Sequence, residues 1–385
     1  MKKKIAVISP DSFLETSYHN LTLPERRVYQ ISKLLSAVDD FEITVLVPTK
    51  KDKVVASILD DDEKIKKDTY SFSAAYFSWS EELDRKLLRY DFVIIQTATG
   101  VGFQNCAVLP KKINVIVDAW IPMITQYPVD LLNKHRIQRR FSWDTFLPQY
   151  QKLLERANCI LCANDKQRYF YEGQFFMIEK LGWDAFKFSP IHKIPYSMVD
   201  NTPIRKYSSD KKKIIWFGDI HQYDALAELI TAIKGTDIFL DVVYRTNNVD
   251  NQKNRYSLSN LASLLNDNVR MINANDPINF DEYYAGVYIN NNWLEDGYSN
   301  NSDIFELLFR GIPVYTNNYF ELHQEYPYLI NNGVFYTPDV NTTIEHITDG
   351  TASFSNKAII SLREQHAPIK IAQTLINYIR AFKNE

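Results

Sequence analysis

EDGYSNNSDIFELLFRGIPV, residues 295–314, reads as a polar loop, a buried helix and a buried strand in immediate succession. From Asp303 to Arg310 the apolar residues fall at Ile304, Phe305, Leu307, Leu308 and Phe309, which makes a helix apolar around most of its circumference. Gly311 ends it, and Pro313 forbids its continuation. The polar half closes on Ser299, Asn300, Asn301 and Ser302. Such residues cap a helix and leave its first backbone N–H groups free. Free amides at the positive end of the helix dipole make an anion site, and phosphate suits it. Glu306 stands one turn inside, within reach of whatever adjoins a bound phosphate. The pattern also fits an ordinary capped helix of an α/β protein.

The Ser/Asn run, the acid five residues before a glycine, and the closing Gly311, Ile312, Pro313 and Val314 resemble the donor-site helix of GT-B glycosyltransferases. The resemblance implies that the start of this helix holds the diphosphate of a nucleotide-sugar, with Ser299, Asn300, Asn301 and Ser302 beside it. It implies that Glu306 binds the ribose hydroxyls. Glu295 and Asp303 also stand in the acid–seven–acid spacing known in that family, but three residues out of register with Gly311, where the helix must end. Many relatives carry Lys or Arg where this chain has Asp303, which leaves the phosphate site with a weak complement of cations.

A chain of 385 residues is long enough for two domains with separate cores. Hydrophobic content of 45% and charged content of 24% fit a soluble globular protein. A net charge of −3 disfavours a nucleic-acid binder, so none is expected as a partner. Cys159 and Cys162 form a C-x-x-C inside the apolar CILCA, where two residues three apart on a strand point to opposite faces and serve neither metal nor redox chemistry. So few cysteines indicate a reducing, cytoplasmic compartment. The basic start, Met1 to Lys4, leads into a short strand rather than a long apolar segment, and Asp11 and Glu15 follow, which predicts no signal peptide. No apolar run is long enough to span a membrane.

Along the chain, 5–9 reads as a first parallel strand, and a polar loop over 10–23 leads to a helix begun by Pro24, with Val28, Ile31, Leu34 and Leu35 inward. Strand 41–47 follows, so the opening is β-loop-α-β without the glycine-rich dinucleotide fingerprint. GT-B relatives place an Arg in this helix, and Arg26 and Arg27 match it on the acceptor side; two solvated helix charges is the alternative. Asp60, Asp61 and Asp62 contain a D-x-D, but within a run that reads as solvated, so no metal is expected. Strands 91–96 and 113–117 follow, and the second leads into Asp118. An acid at the carboxyl end of a parallel strand sits where such folds bind ligands. Asp118 is the candidate catalytic residue: a general base, a group that orients the acceptor, or only the N-cap of the next helix.

The basic run 133–140 suits anionic lipid headgroups at a peripheral membrane contact, or forms a solvated face. A strand at 159–163 and a helix capped near Asn164, running through Tyr171 and stopping at Gly173, resemble a branch of GT-B enzymes that builds bacterial surface polysaccharides. Residues 194–203 read as a crossing between domains. After strand 214–218, the resemblance places Gly218, Asp219 and Gln222 against the diphosphate, and Arg245 after strand 238–244 supplies a positive charge. Residues 361–383 read as one closing helix, apolar enough to dock, and the GT-B resemblance implies that it returns to the first domain.

The expectation is therefore an α/β protein of GT-B type. Its Rossmann-like domains are 1–200 for the acceptor and 201–360 for the nucleotide-sugar, facing across a cleft, and helix 361–385 returns to the first domain. The implied activity is metal-independent and cofactor-free sugar transfer to a glycan, lipid-linked or protein acceptor. A sugar-nucleotide epimerase and a non-catalytic sugar- or protein-binding member are the alternatives.

Overall fold

The computed structural model describes residues 2–10, 21–48, 72–77, 86–97, 109–120, 136–177, 190–198, 202–206, 212–217, 223–244, 259–289, 302–317, 320–350 and 353–382. The first half gives β1 (Lys3–Ile8), α1 (Leu23–Ser36), β2 (Phe41–Pro48), β3 (Ser73–Phe77), β4 (Phe92–Gln96), β5 (Asn114–Asp118), α2 (Arg136–Arg156), β6 (Cys159–Cys162), α3 (Asp165–Met177) and β7 (Ile191–Lys193). These strands form one parallel sheet in the order β3-β2-β1-β4-β5-β6-β7. The second half gives β8 (Lys212–Phe217), α4 (Tyr223–Ala232), β9 (Ile238–Tyr244), β10 (Val269–Asn273), β11 (Ala285–Tyr288), α5 (Ser302–Phe309), β12 (Val314–Thr316), α6 (Phe320–Glu325), β13 (Val334–Tyr336), α7 (Val340–Thr348), α8 (Asn356–Gln365) and α9 (Pro368–Ala381). Its sheet is also parallel, ordered β10-β9-β8-β11-β12-β13.

Parallel sheets are covered on both faces, which is why β4 and β5 are buried at every position. Val93, Ile95, Val115 and Val117 pack on one face with Tyr150, Leu153, Tyr171 and Phe175 from α2 and α3. Phe92, Ile94 and Ile116 point the other way, against Val28 and Ile31 of α1 and Ile371, Leu375 and Ile379 of α9. The closing helix thus completes the core of the first domain, and Lys3 Nζ donates to the carbonyl of Phe382 just past its end at 2.9 Å. Cys159 and Cys162 lie in the two opposite cores as free thiols. Burial pushes the Cys162 thiol up to about 12 and Cys159 well above the ordinary thiol range.

Two helices differ from the sequence reading. The single helix expected over 361–383 is two, α8 and α9, broken at His366 and Ala367; Pro368 opens the second, where its missing N–H is not needed. Helix α3 does not stop at Gly173 but runs to Met177. Tyr171 and Phe175 on either side of Gly173 are fully buried, and that burial outweighs the roughly 1 kcal/mol that a glycine costs inside a helix.

The chain crosses between domains with Ile194 in the first core and Tyr196 in the second. His366 fixes this crossing. Its backbone carbonyl accepts from Met198 N at 3.1 Å, and its Nδ1 donates to the Tyr196 carbonyl, which sets the tautomer. The ring lies among Phe305, Tyr326 and Phe309, with centroids 4.8, 5.4 and 5.2 Å away. Burial lowers its pKa from 6.5 to about 4. A depressed histidine pKa means that the unfolded chain binds the proton first as pH falls, so stability declines between pH 6.5 and about 4. The expected loss across that window is about 3 kcal/mol. Denaturant titrations of the wild type and His366→Asn at pH 7 and pH 4.5 check this: the variant should lose clearly less, and parallel losses would contradict the assignment.

Candidate functional site

In each sheet the chain first winds outward to one side and then returns to build the other. The reversal lies between β1 and β4 in the first sheet and between β8 and β11 in the second. Ligands of such sheets bind at the carboxyl ends of the strands flanking that reversal. A helix following a parallel strand must start there, so the first turns of α1 and α5 mark the two reversal points. The structure brings those two turns together. Arg26 Nη1, on α1, donates to Asp303 Oδ1, on α5, at 3.0 Å, and Arg26 is fully buried. The Arg26 guanidinium carbon also lies 5.6 Å from the ring centroid of Phe217, the last residue of β8. The carboxyl ends of the two sheets therefore face each other across one cleft.

On the second-domain wall, Ser302 opens α5 and is 1% exposed, and among the described residues its Oγ has no hydrogen-bond partner. Glu306 is also buried. Its Oε1 accepts from Tyr196 Oη at 2.7 Å, and its Oε2 accepts from Arg310 Nη1 at 2.7 Å. Arg310 in turn lies 4.3 Å from the Phe280 ring centroid. Gly311 ends the helix with φ of 73°, the left-handed conformation that a glycine adopts without strain.

On the first-domain wall, Asp118 ends β5 and is fully buried. Arg27 meets it through two nitrogens, Nε at 3.1 Å from Oδ2 and Nη2 at 3.1 Å from Oδ1, and Gln96 Nε2 donates to Oδ2 at 3.4 Å. Arg27 Nη1 also reaches the Pro195 carbonyl in the crossing at 3.0 Å. Burial pushes the Asp118 carboxyl up, while the Arg27 charge and the hydrogen bonds from Arg27 and Gln96 oppose that rise. Arg26 and Arg27 are therefore not solvated helix charges, the alternative that their place on a polar helix start left open. A second bridge spans the domains to one side: Asp165 N donates to Glu325 Oε1 at 2.6 Å, and Lys193 Nζ, which donates to Asp165 Oδ2 at 2.6 Å, lies 3.7 Å from Glu325 Oε2.

No protein-family model matches this sequence, and no curated protein does. Solved structures match over its whole length. Sucrose-phosphate synthase from Thermosynechococcus elongatus superposes with a TM-score of 0.65 at 13% identity, covering 98% of each chain. HepE of Anabaena, in complex with UDP-glucose, gives 0.65 at 11% identity, covering 98% of this chain and 100% of that one. A glycosyltransferase from Rickettsia africae gives 0.59 at 11% identity, covering all of both chains. The fold is GT-B.

The GT-B cleft brings together Arg26, Ser302 and Glu306 from the sequence-predicted set, with Arg27 and Asp118 behind its first-domain wall. Gly218, Asp219, Gln222, Arg245, Ser299, Asn300 and Asn301 lie outside the described residues, as do Asp60, Asp61 and Asp62. Tyr196, Phe217, Gln96 and Arg310 were missed. Arg310 was within reach, because Glu306 and Arg310 have the i, i+4 spacing of a helical ion pair. Tyr196 gave no signal, since 110 residues separate it from Glu306.

Removing one partner of the Arg27–Asp118 pair strands a buried charge. Asp118→Asn should therefore cost roughly 3–5 kcal/mol in a denaturant titration, and the double variant Arg27→Met/Asp118→Leu should cost less than Asp118→Asn alone. Additive losses would mean that the two side chains do not depend on each other.

Proposed function

We propose that this chain is a glycosyltransferase that takes a sugar from a nucleotide-sugar donor in the GT-B cleft. The observation that carries the proposal is the start of α5 at the β8/β11 reversal, where the unpartnered Ser302 hydroxyl joins helix-end amides that favour an anion. HepE, which shares the fold, has been crystallised with UDP-glucose. In this reading the diphosphate lies at Ser299, Asn300, Asn301 and Ser302 and faces Gly218, Asp219, Gln222 and Arg245. Glu306, which already accepts one hydroxyl hydrogen bond from Tyr196, accepts others from the ribose.

As the glycosidic bond to the diphosphate breaks, negative charge develops on the leaving phosphate, and pre-oriented amides stabilise it without reorganisation. Closure of the two domains excludes water that would otherwise hydrolyse the donor. The acceptor, a glycan, lipid-linked sugar or protein of surface-polysaccharide assembly, lies against the first domain. Asp118, buried beneath that surface and held by Arg27, fits orientation of the acceptor side better than direct proton abstraction. Transfer needs no divalent metal, since the charge stabilisation comes from amides and side chains; activity should survive EDTA, and rescue by manganese after its loss would refute this.

A thermal-shift series with UDP, GDP, ADP and dTDP tests the donor site. A nucleotide at a hundred times its dissociation constant adds about 2.7 kcal/mol of stability. Glu306→Gln should weaken the binding nucleotide by roughly 1.5–3 kcal/mol, read by calorimetry on folded protein. Unchanged affinity would remove Glu306 from the site.

A further inference from the structure

We infer that Arg26, carried by the first domain, is the cation that meets the donor's diphosphate on the second domain, and that Asp303 and the phosphates compete for it. The inference rests on the nucleotide-sugar reading above and adds a residue to that site from across the cleft.

The start of α5 offers an anion two opposite signals. The positive end of its helix dipole and the Ser302 hydroxyl attract one, while the Asp303 carboxylate beside them repels it. A diphosphate can settle there only if a cation neutralises that carboxylate or stands between the two. The described cations of the second domain near α5 are engaged elsewhere. Arg310 holds Glu306, and Arg363 donates to the carbonyls of Phe309 and Thr202. Lys213 is bound to Asp241 and Glu282.

Arg26 alone of these side chains comes from the other domain and touches the first turn of α5, through Asp303 at 3.0 Å. It also lies beside Phe217, where β8 ends at the reversal point. Its position is therefore fixed from both sides of the crevice in which the phosphates would lie. A guanidinium has five donors in a planar fork, so it can keep a carboxylate on one edge and bind phosphate oxygens on another. Full burial strengthens each of those interactions relative to water. The consequence is that the diphosphate is held by both domains at once, and donor binding itself favours the closed cleft.

The test is calorimetric titration of the full chain with UDP, GDP, ADP and dTDP, followed by the nucleoside of whichever diphosphate binds. Arg26→Gln should weaken the diphosphate by about tenfold or more while leaving the nucleoside unchanged. Asp303→Asn keeps the shape but removes the competing charge, so it should tighten the diphosphate severalfold. The double variant Arg26→Gln/Asp303→Asn leaves no buried unpaired charge and should bind the diphosphate more weakly than Asp303→Asn but more tightly than Arg26→Gln, which keeps the test valid if the single arginine variant fails to fold. If the pair is only a tether between domains, Asp303→Asn will weaken diphosphate and nucleoside alike, and the inference falls. It also falls, alone, if Asp303→Asn binds a diphosphate and the double variant binds it equally well. Failure of the wild type to bind any of the four overturns the nucleotide-sugar reading and this inference together.

Discussion

Every strand pairing described in this chain is parallel, and most of the architecture follows from that constraint. A parallel strand cannot be joined to its neighbour by a hairpin, so each pair needs a crossover that returns the chain to the starting edge. The crossovers cover both faces of each sheet, which is why the central strands are buried throughout. They also place helix starts and strand carboxyl ends on one edge. Free amides, polar loops and strand-terminal acids gather there by geometry alone. Two such edges, turned toward each other, produce the cleft.

The walls of that cleft are set by buried charges, and one pair, Arg26 and Asp303, crosses it. Arg26 and Asp303, Arg27 and Asp118, and Glu306 and Arg310 are three buried ion pairs within the two facing walls. Buried pairs contribute little net stability compared with well-packed apolar side chains, but losing one partner is costly. They therefore specify position more than they stabilise. Apolar packing takes over where the crossing enters the second core: Tyr196 stacks on Phe309 at 6.3 Å and His366 fills the ring cluster.

The sequence made the fold legible where one element carries its own signals. Helix α5 was read from a full apolar run, a polar start and a glycine followed by a proline, and the structure keeps its end at Gly311. The closing helix was read as one that docks from its apolar stripe, and its return to the first domain came from the GT-B resemblance; Ile371, Leu375 and Ile379 do pack there. Other features depended on contacts between distant segments. Nothing local in TLPERR distinguishes two buried arginines from two solvated ones; the difference is made by Asp303 and Asp118, which lie 277 and 91 residues away. The break at His366 was hidden for the same reason, since its partners are the crossing segment and α5. Gly173 misled in the opposite direction: a strong local stop signal was overruled by the burial of Tyr171 and Phe175.

Helix α9 belongs to the core that β1 begins. Lys3 and the Phe382 carbonyl to which it donates are 379 residues apart in the chain. A ribosome adding about 5–20 residues per second emits the second after the first by roughly 20–80 s. For that interval the face of the first sheet carrying Ile5, Val7, Phe92 and Ile94 lacks its final cover. The second sheet, whose strands and helices are contiguous in sequence, can assemble in the meantime. Biogenesis therefore runs against the order of the domains: the half that is made first is the half that is finished last, and a nascent chain stalled before α9 would display that apolar face to chaperones.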